Sequence, residues 1–269
     1  MGVGLSVLLG WLFHVELLKS WLPGKLSARF NTAVCFVLLG FALWELRKRS
    51  DLTARWPSRT AARIAAAIVV LVGLLRLSEN LFGWDLGMDL WLYAVRPGDE
   101  IGNVSPIAAL NLVLLGCALL TLDWKTRRGG WPAQFLAVAA GIGSIFGLLD
   151  FVLGLKVSHT HIALPSAVNF AVFSLGVIHA RTEWAWGGLL ASRGAGAMLL
   201  RRVAPAALLV INFISWLESK ALLTSAHFEW EEVSVIIVTL NVLLTGLIVW
   251  TALIVERAEQ KQKKAEQAL

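Results

Sequence analysis

The sequence predicts an all-α integral membrane protein, and three observations carry that prediction. The chain is 57% hydrophobic and only 16% charged, against about 45 to 50% and about 25% in ordinary globular domains. Its charges fall in short interruptions between apolar runs of about 17 to 24 residues, the length a helix needs to cross about 30 Å of hydrocarbon. The runs lack the alternation of a membrane barrel, and lipid cannot satisfy open backbone groups, so helices are the structure such runs form.

Eight spans follow in order: 1–18, 30–46, 61–82, 106–122, 132–153, 165–181, 203–218 and 232–255. The first has no positively charged start and holds His14 and Glu16 late in its apolar run, so it reads as a retained helix rather than a secretory signal. The second opens at Asn31 and Thr32, the fourth at Ser105 and Pro106, and the sixth at Pro165 and Ser166. These residues read as caps and first-turn residues that supply partners for otherwise orphaned amides. The third span carries Arg76 and Glu79 three residues apart on one helical face, and the fifth carries Asp150. The seventh contains Pro205, Asn212 and Glu218, and so is short or bent. The eighth runs into "IVERAEQKQKKAEQAL" with no proline or glycine to stop it.

Charge orients these spans. Most of the twenty-four Lys and Arg lie in 47–60, 123–131, 181–202 and 256–269, which places these segments, and both termini, on the cytoplasmic side. The alternate loops face outward, among them the acidic, Trp-rich segment 83–106. The formal charge of +6 therefore has a topological cause. No basic stripe is interleaved with exposed aromatics, which argues against nucleic acid as a partner.

A phrase returns along the chain. "FNTAVCFVLLGFALWEL" at 30–46 reappears as "VSPIAALNLVLLGCALLTL" at 104–122, as "LPSAVNFAVFSLGVIHA" at 164–180 and as "TLNVLLTGLIVW" at 239–250. Aligned on Gly40, Gly116, Gly176 and Gly246, it falls on every even span. Each preceding odd span has a carboxylate near its predicted outer end: Glu16, Glu79, Asp150 and Glu218. The repeated unit is a helical hairpin used four times. Close packing through small residues explains the phrase itself.

The acids are the leading sensing candidates, because an acid within the hydrocarbon costs at least about 2.5 to 3.5 kcal/mol at a helix centre unless it faces a cavity, a partner or the interface. Asp150 stands out, having no cation nearby in sequence before Lys156. His159 and His161 in "KVSHTHIALP", with His227 beside Glu229, form a candidate metal or proton-sensing cluster, although the spacing is no defined metal motif. His14 and His179 sit at different predicted depths and do not clamp a haem; no cofactor is assigned. Of thirteen tryptophans, most fall near span ends, where indole suits the headgroup layer. Trp84 and Trp91, bracketing "DLGMDL", are candidates for the aromatic wall of an external pocket. Cys35 and Cys117 lie inside spans, which excludes a disulfide framework and leaves them as small apolar fillers.

Val255, Ala258, Gln262, Ala265 and Leu269 follow 3-4-3-4 spacing, so 1–255 reads as the membrane domain and 256–269 as a helical, coiled-coil-like linker in the cytoplasm. "LFGWDLGMDLWL" at 81–92, "VSPIAALNLVLLGCALL" at 104–120 and "VERAEQKQKKAEQAL" at 255–269 together resemble the N-terminal multi-span membrane sensor regions of bacterial signalling proteins, found upstream of PAS, histidine kinase or diguanylate cyclase domains. The resemblance implies a dimeric inner-membrane sensor among membrane lipids. It would pass a periplasmic or intramembrane stimulus to a cytoplasmic signalling domain, in cis beyond Leu269 or in trans, and it supplies no catalytic residues.

Rival readings are a non-catalytic subunit or assembly factor of a larger membrane complex, and a small transporter. Internal repeats and midplane acids favour a transporter, but paired Gly/Pro interruptions at the midplane are missing. An enzyme is disfavoured, since no nucleophile with its base is apparent and "RGAGAML" at 193–199 is too short for a phosphate loop.

Overall fold

A computed structural model of the chain describes residues 1–22, 27–48, 56–84, 105–124, 132–153 and 162–181, with 194–199, 201–203 and scattered positions from 206 to 210 and 247 to 266. Among the described residues every regular element is a helix. The chain forms two compact units, one of Met1–Phe151 with Ser158–Ala180 and the other of Val152–Val157 with Arg181–Leu269.

The first unit begins with a correction. The apolar run 1–18 is two helices, α1 (Gly2–Leu12) and α2 (Glu16–Ser20). His14 takes a left-handed conformation with φ 56°, and the Val15 N–H donates back to the Gly10 carbonyl at 2.9 Å, the closing bond of a Schellman turn. The chain can fold back because Gly10 has no side chain; a methyl there would meet Leu18 Cβ at 2.8 Å. At 1.5 Å per residue α1 is about 16 Å long, half of what a bilayer crossing takes.

The next five helices follow the apolar runs closely: α3 (Phe30–Arg47), α4 (Trp56–Phe82), α5 (Pro106–Leu120), α6 (Pro132–Leu153) and α7 (Leu164–His179). Among the described helices, α3 and the Ser58–Phe82 stretch of α4 are long and apolar enough to cross a membrane. α4 starts five residues ahead of its apolar run. Its polar first turns are held by neighbours: Arg59 pairs with Asp123 at 2.8 Å, and Ser58 hydrogen-bonds the Glu45 carboxylate of α3. Of the residues expected at helix starts, Asn31, Thr32, Pro106, Pro165 and Ser166 fall in first turns and Ser105 at an N-cap, while the other N-caps are Arg29 and Ala163. Neither Arg29 nor Ser105 caps its helix through its side chain, and Pro106 serves by its fixed φ at the first position of α5.

Packing runs through small residues. α4 and α5 lie antiparallel, with Gly73 against Ala109 and Val113 and Gly116 against Ala66 and Val70. A methyl on Gly73 would meet the Val113 nitrogen at 3.0 Å and the Ala109 carbonyl oxygen at 3.1 Å, so the two backbones are nearly in contact. α3 and α7 run parallel, joined by Phe36, whose ring meets Phe170 edge-on at 5.0 Å and Phe173 at 6.0 Å. α1 lies antiparallel to α3, Gly4 resting on Ala33 and Phe36 and Met1 on Gly40.

α4 inverts the soluble arrangement in where its large aliphatic side chains lie. Ala62, Ala66, Val69 and Arg76 are buried, whereas Ile64, Ile68, Leu71 and Leu74 are 43 to 57% exposed. Water does not favour a surface of that kind on a helix this long; lipid does.

In the second unit the described residues from Leu247 to Glu266 are all helical, spanning the expected junction between apolar span and charged tail. Ala252 is fully buried, whereas Ala258, Gln262 and Ala265 are exposed. The Ala195 N–H, at the start of a helical turn, donates to Glu259 Oε2 at 2.8 Å, a carboxylate placed where the helix dipole favours it.

Candidate functional site

Several buried polar side chains of the first unit lie toward the end where α3, α5 and α7 begin and α4 finishes, although Gln134, at the start of α6, is buried elsewhere. Arg76 and Glu79 project from the last turns of α4 at i and i+3. Their side chains are 4% and 9% exposed, and Arg76 Nη1 lies 2.8 Å from Glu79 Oε2. Arg76 faces α3 closely enough for its charge to act at Cys35. Asn80 Nδ2 donates to the Arg76 carbonyl at 2.8 Å and Ser78 Oγ to the Leu75 carbonyl at 2.7 Å, which ties the helix end to itself.

Other helices add to this layer. Asn31 and Thr32 of α3, Asn111 of α5, and Ser166 and Asn169 of α7 are all buried, and Ser174, ten residues into α7, is buried deeper along the bundle. Asn111 rests its amide on Gly143 of α6, where a methyl would come within 2.6 Å of Oδ1. Ser174 faces Gly141 on the same helix. Among the described residues Asn111 Nδ2, Asn169 Nδ2 and the Ser174 hydroxyl find no hydrogen-bond partner, whereas Ser144 satisfies itself on the Ala140 carbonyl at 2.7 Å.

Such an interior is electrostatically tense. Removing an amide from water without a partner costs about 1 to 3 kcal/mol, and a buried ion pair holds its place only by the match of its two charges. A layer with unmet donors gains from any rearrangement or ligand that meets them. Among the described residues no three His, Cys, Asp or Glu side chains stand together as metal ligands.

The sequence candidates separate by environment. Glu79 is inside the layer. Glu16, the first residue of α2, has a side chain 72% exposed and pairs with Lys19 at 2.9 Å; it points out of the bundle. Lys19 itself is buried, its amine 4.4 Å from the centroid of the Trp11 ring, and Trp11 Nε1 donates to the Ala28 carbonyl at 2.8 Å. Trp84 is 55% exposed and touches Phe82 with ring centroids 5.4 Å apart, just past Gly83 at φ 69°. Asp150 lies on α6 with its side chain outside the described residues, as are Glu218, Trp91, His159, His161 and His227 altogether.

Sequence reasoning passed over Asn111, Asn169 and Ser174. The signal was there: both asparagines stand inside the recurring apolar phrase, each ahead of its glycine. The chain matches no family model, no curated protein and no solved structure.

Proposed function

We propose that the chain is a membrane-embedded sensory module, set in the bacterial inner membrane as a homodimer with both termini in the cytoplasm. It passes a periplasmic or intramembrane stimulus to a cytoplasmic signalling domain, in cis or in trans. The observation that carries this reading is the inverted polarity of the bundle: aliphatic side chains of α4 face outward, while Arg76, Glu79, Asn111 and Asn169 are held within. Polar groups kept inside a bundle in lipid mark function more often than stability.

On this reading the bundle has two packings, and a signal passes only if the stimulus prefers one of them. The exit route is the last helix, whose described residues keep helical geometry as far as Glu266. The module performs no chemistry of its own on this reading. The remaining acids and histidines, Asp150 and Glu218 with His159, His161 and His227, stay sensing candidates on the sequence alone.

A kinase domain fused after Leu269 tests the reading. A four-residue stutter inserted after Glu259 rotates everything downstream and is expected to change autophosphorylation several-fold. Asn111→Leu, which removes an unmet donor, is expected to lock the output in one state. Autophosphorylation unaffected by both changes contradicts the sensory reading.

A further inference from the structure

The last helix presents two distinct faces along its described part. Ile248, Ala252, Val255 and Glu259 recur at 4-3-4 spacing and make one stripe; Ile248 and Ala252 are buried, Val255 and Glu259 half-buried. Leu247, Thr251, Ile254, Ala258, Gln262 and Ala265 lie about 100° around the axis from it, and all six are exposed.

The buried stripe ends in a hydrogen bond to a distant part of the chain. The Ala195 N–H donates to Glu259 Oε2 at 2.8 Å, across 64 residues of sequence. Ala195 opens a helical turn, in which the Met198 N–H donates to the Gly194 carbonyl at 3.1 Å, and Gly194, Gly196 and Ala197 are buried. The phrase "RGAGAML" at 193–199, too short for a phosphate loop, thus offers an amide to a carboxylate of its own chain. Both partners belong to the second unit, and the charge pattern assigns their segments, 181–202 and 256–269, to the same side of the membrane.

We propose that the Ala195–Glu259 hydrogen bond is a latch that fixes the rotational setting of the exit helix, a proposal that rests on the reading of that helix as the output route. While the bond is closed, the stripe from Ile248 to Glu259 stays turned inward and Ala258, Gln262 and Ala265 face away. A backbone N–H held by a carboxylate is stronger than a neutral pair, yet this bond lies at an exposed position, where water replaces either partner at small net cost. A contact of that strength biases a helix between two settings without freezing it. The competing role is a structural staple, in which the same bond ties down the 195–199 turn and has no bearing on output.

Hydrogen–deuterium exchange of the full chain in detergent, read by mass spectrometry over 193–199, tests the bond itself. Glu259→Ala is expected to speed exchange there by about fivefold, and Glu259→Gln, which keeps an acceptor oxygen, by less. Glu266→Gln removes an equal charge from an exposed position on the same helix and is expected to leave that segment unchanged. Ala195→Pro deletes the donor from the other side, at a first helical position where proline is tolerated. In the kinase fusion, Ala195→Pro and Glu259→Ala are expected to shift autophosphorylation in the same direction, by about twofold or more.

Exchange over 193–199 that responds to Glu259→Ala no more than to Glu266→Gln overturns the latch. Autophosphorylation unmoved by Ala195→Pro and Glu259→Ala, or moved by them in opposite directions, overturns it too when the fusion still answers the stutter placed after Glu259; the bond is then a staple and the sensory reading stands. A fusion that answers neither these variants nor the stutter removes the output route, and the latch with it.

Discussion

At the scale of single residues, the account turns on Arg76 and Glu79. The pair is nearly sealed from solvent and its oxygen and nitrogen are 2.8 Å apart. Removing one partner leaves a charge buried without its match, which costs about 3 to 5 kcal/mol, whereas replacing both by apolar residues of similar size is often close to neutral. Arg76→Leu alone is therefore expected to destabilise the bundle strongly, and Arg76→Leu with Glu79→Leu far less, as read by thermal unfolding in detergent. A double variant as damaged as the single one contradicts the pairing.

Asn111 gives the converse case. Its amide nitrogen is unmet, so Asn111→Leu is expected to leave stability unchanged or raise it by about 1 kcal/mol. A loss above that figure means the amide serves the fold. The sequence made Glu79 legible because an acid in an apolar run is conspicuous. Asn111 and Asn169 were hidden inside a phrase whose glycine and aliphatic residues drew attention to packing.

At the scale of elements, five apolar runs coincide closely with the helices α3 to α7, of which α3 and the Ser58–Phe82 stretch of α4 are long and apolar enough to cross a membrane. The correspondence fails at the first span. Nothing apolar distinguishes 1–12 from 13–18; the break rests on His14 adopting a left-handed turn that glycine would enter more cheaply. The recurring glycines also proved to be one pattern with different uses. Gly40 and Gly116 accept the preceding helix of their own hairpin, α1 and α4, but Gly176 meets Leu43 of α3. Repetition in sequence therefore predicted closeness without predicting the neighbour.

The α4/α5 crossing is where closeness matters most, because a side chain on Gly73 would strike backbone atoms that have nowhere to go. Gly73→Leu is expected to cost about 1 to 3 kcal/mol or more of bundle stability, measured by unfolding in detergent. Gly2→Ala, in open space, is the matched substitution expected to cost little. Equal tolerance of the two contradicts the close approach of these helices.

At the scale of the whole molecule, the helical class, and the helical character of the described residues from Leu247 to Glu266, were readable from composition and periodicity alone. The collection of several buried polar groups toward one end was not, since it arises from the antiparallel and parallel pairings that bring the start of α3, α5 and α7 to the end of α4. Those pairings depend on which small residues face which, and a single sequence does not encode partners openly. The inverted polarity of α4 unites the two levels, because the same helix supplies the outward aliphatic stripe and the inward ion pair.

That inversion can be measured directly by nitroxide scanning of α4 in phospholipid bilayers, comparing collisions with oxygen, which concentrates in lipid, and with a water-soluble nickel chelate. Labels at positions 64, 68, 71 and 74 are expected to be accessible to oxygen and shielded from the chelate, while those at 62, 66 and 69 are shielded from both. Ready collision of the chelate with positions 64, 68 and 71 would place this face in water and contradict the account.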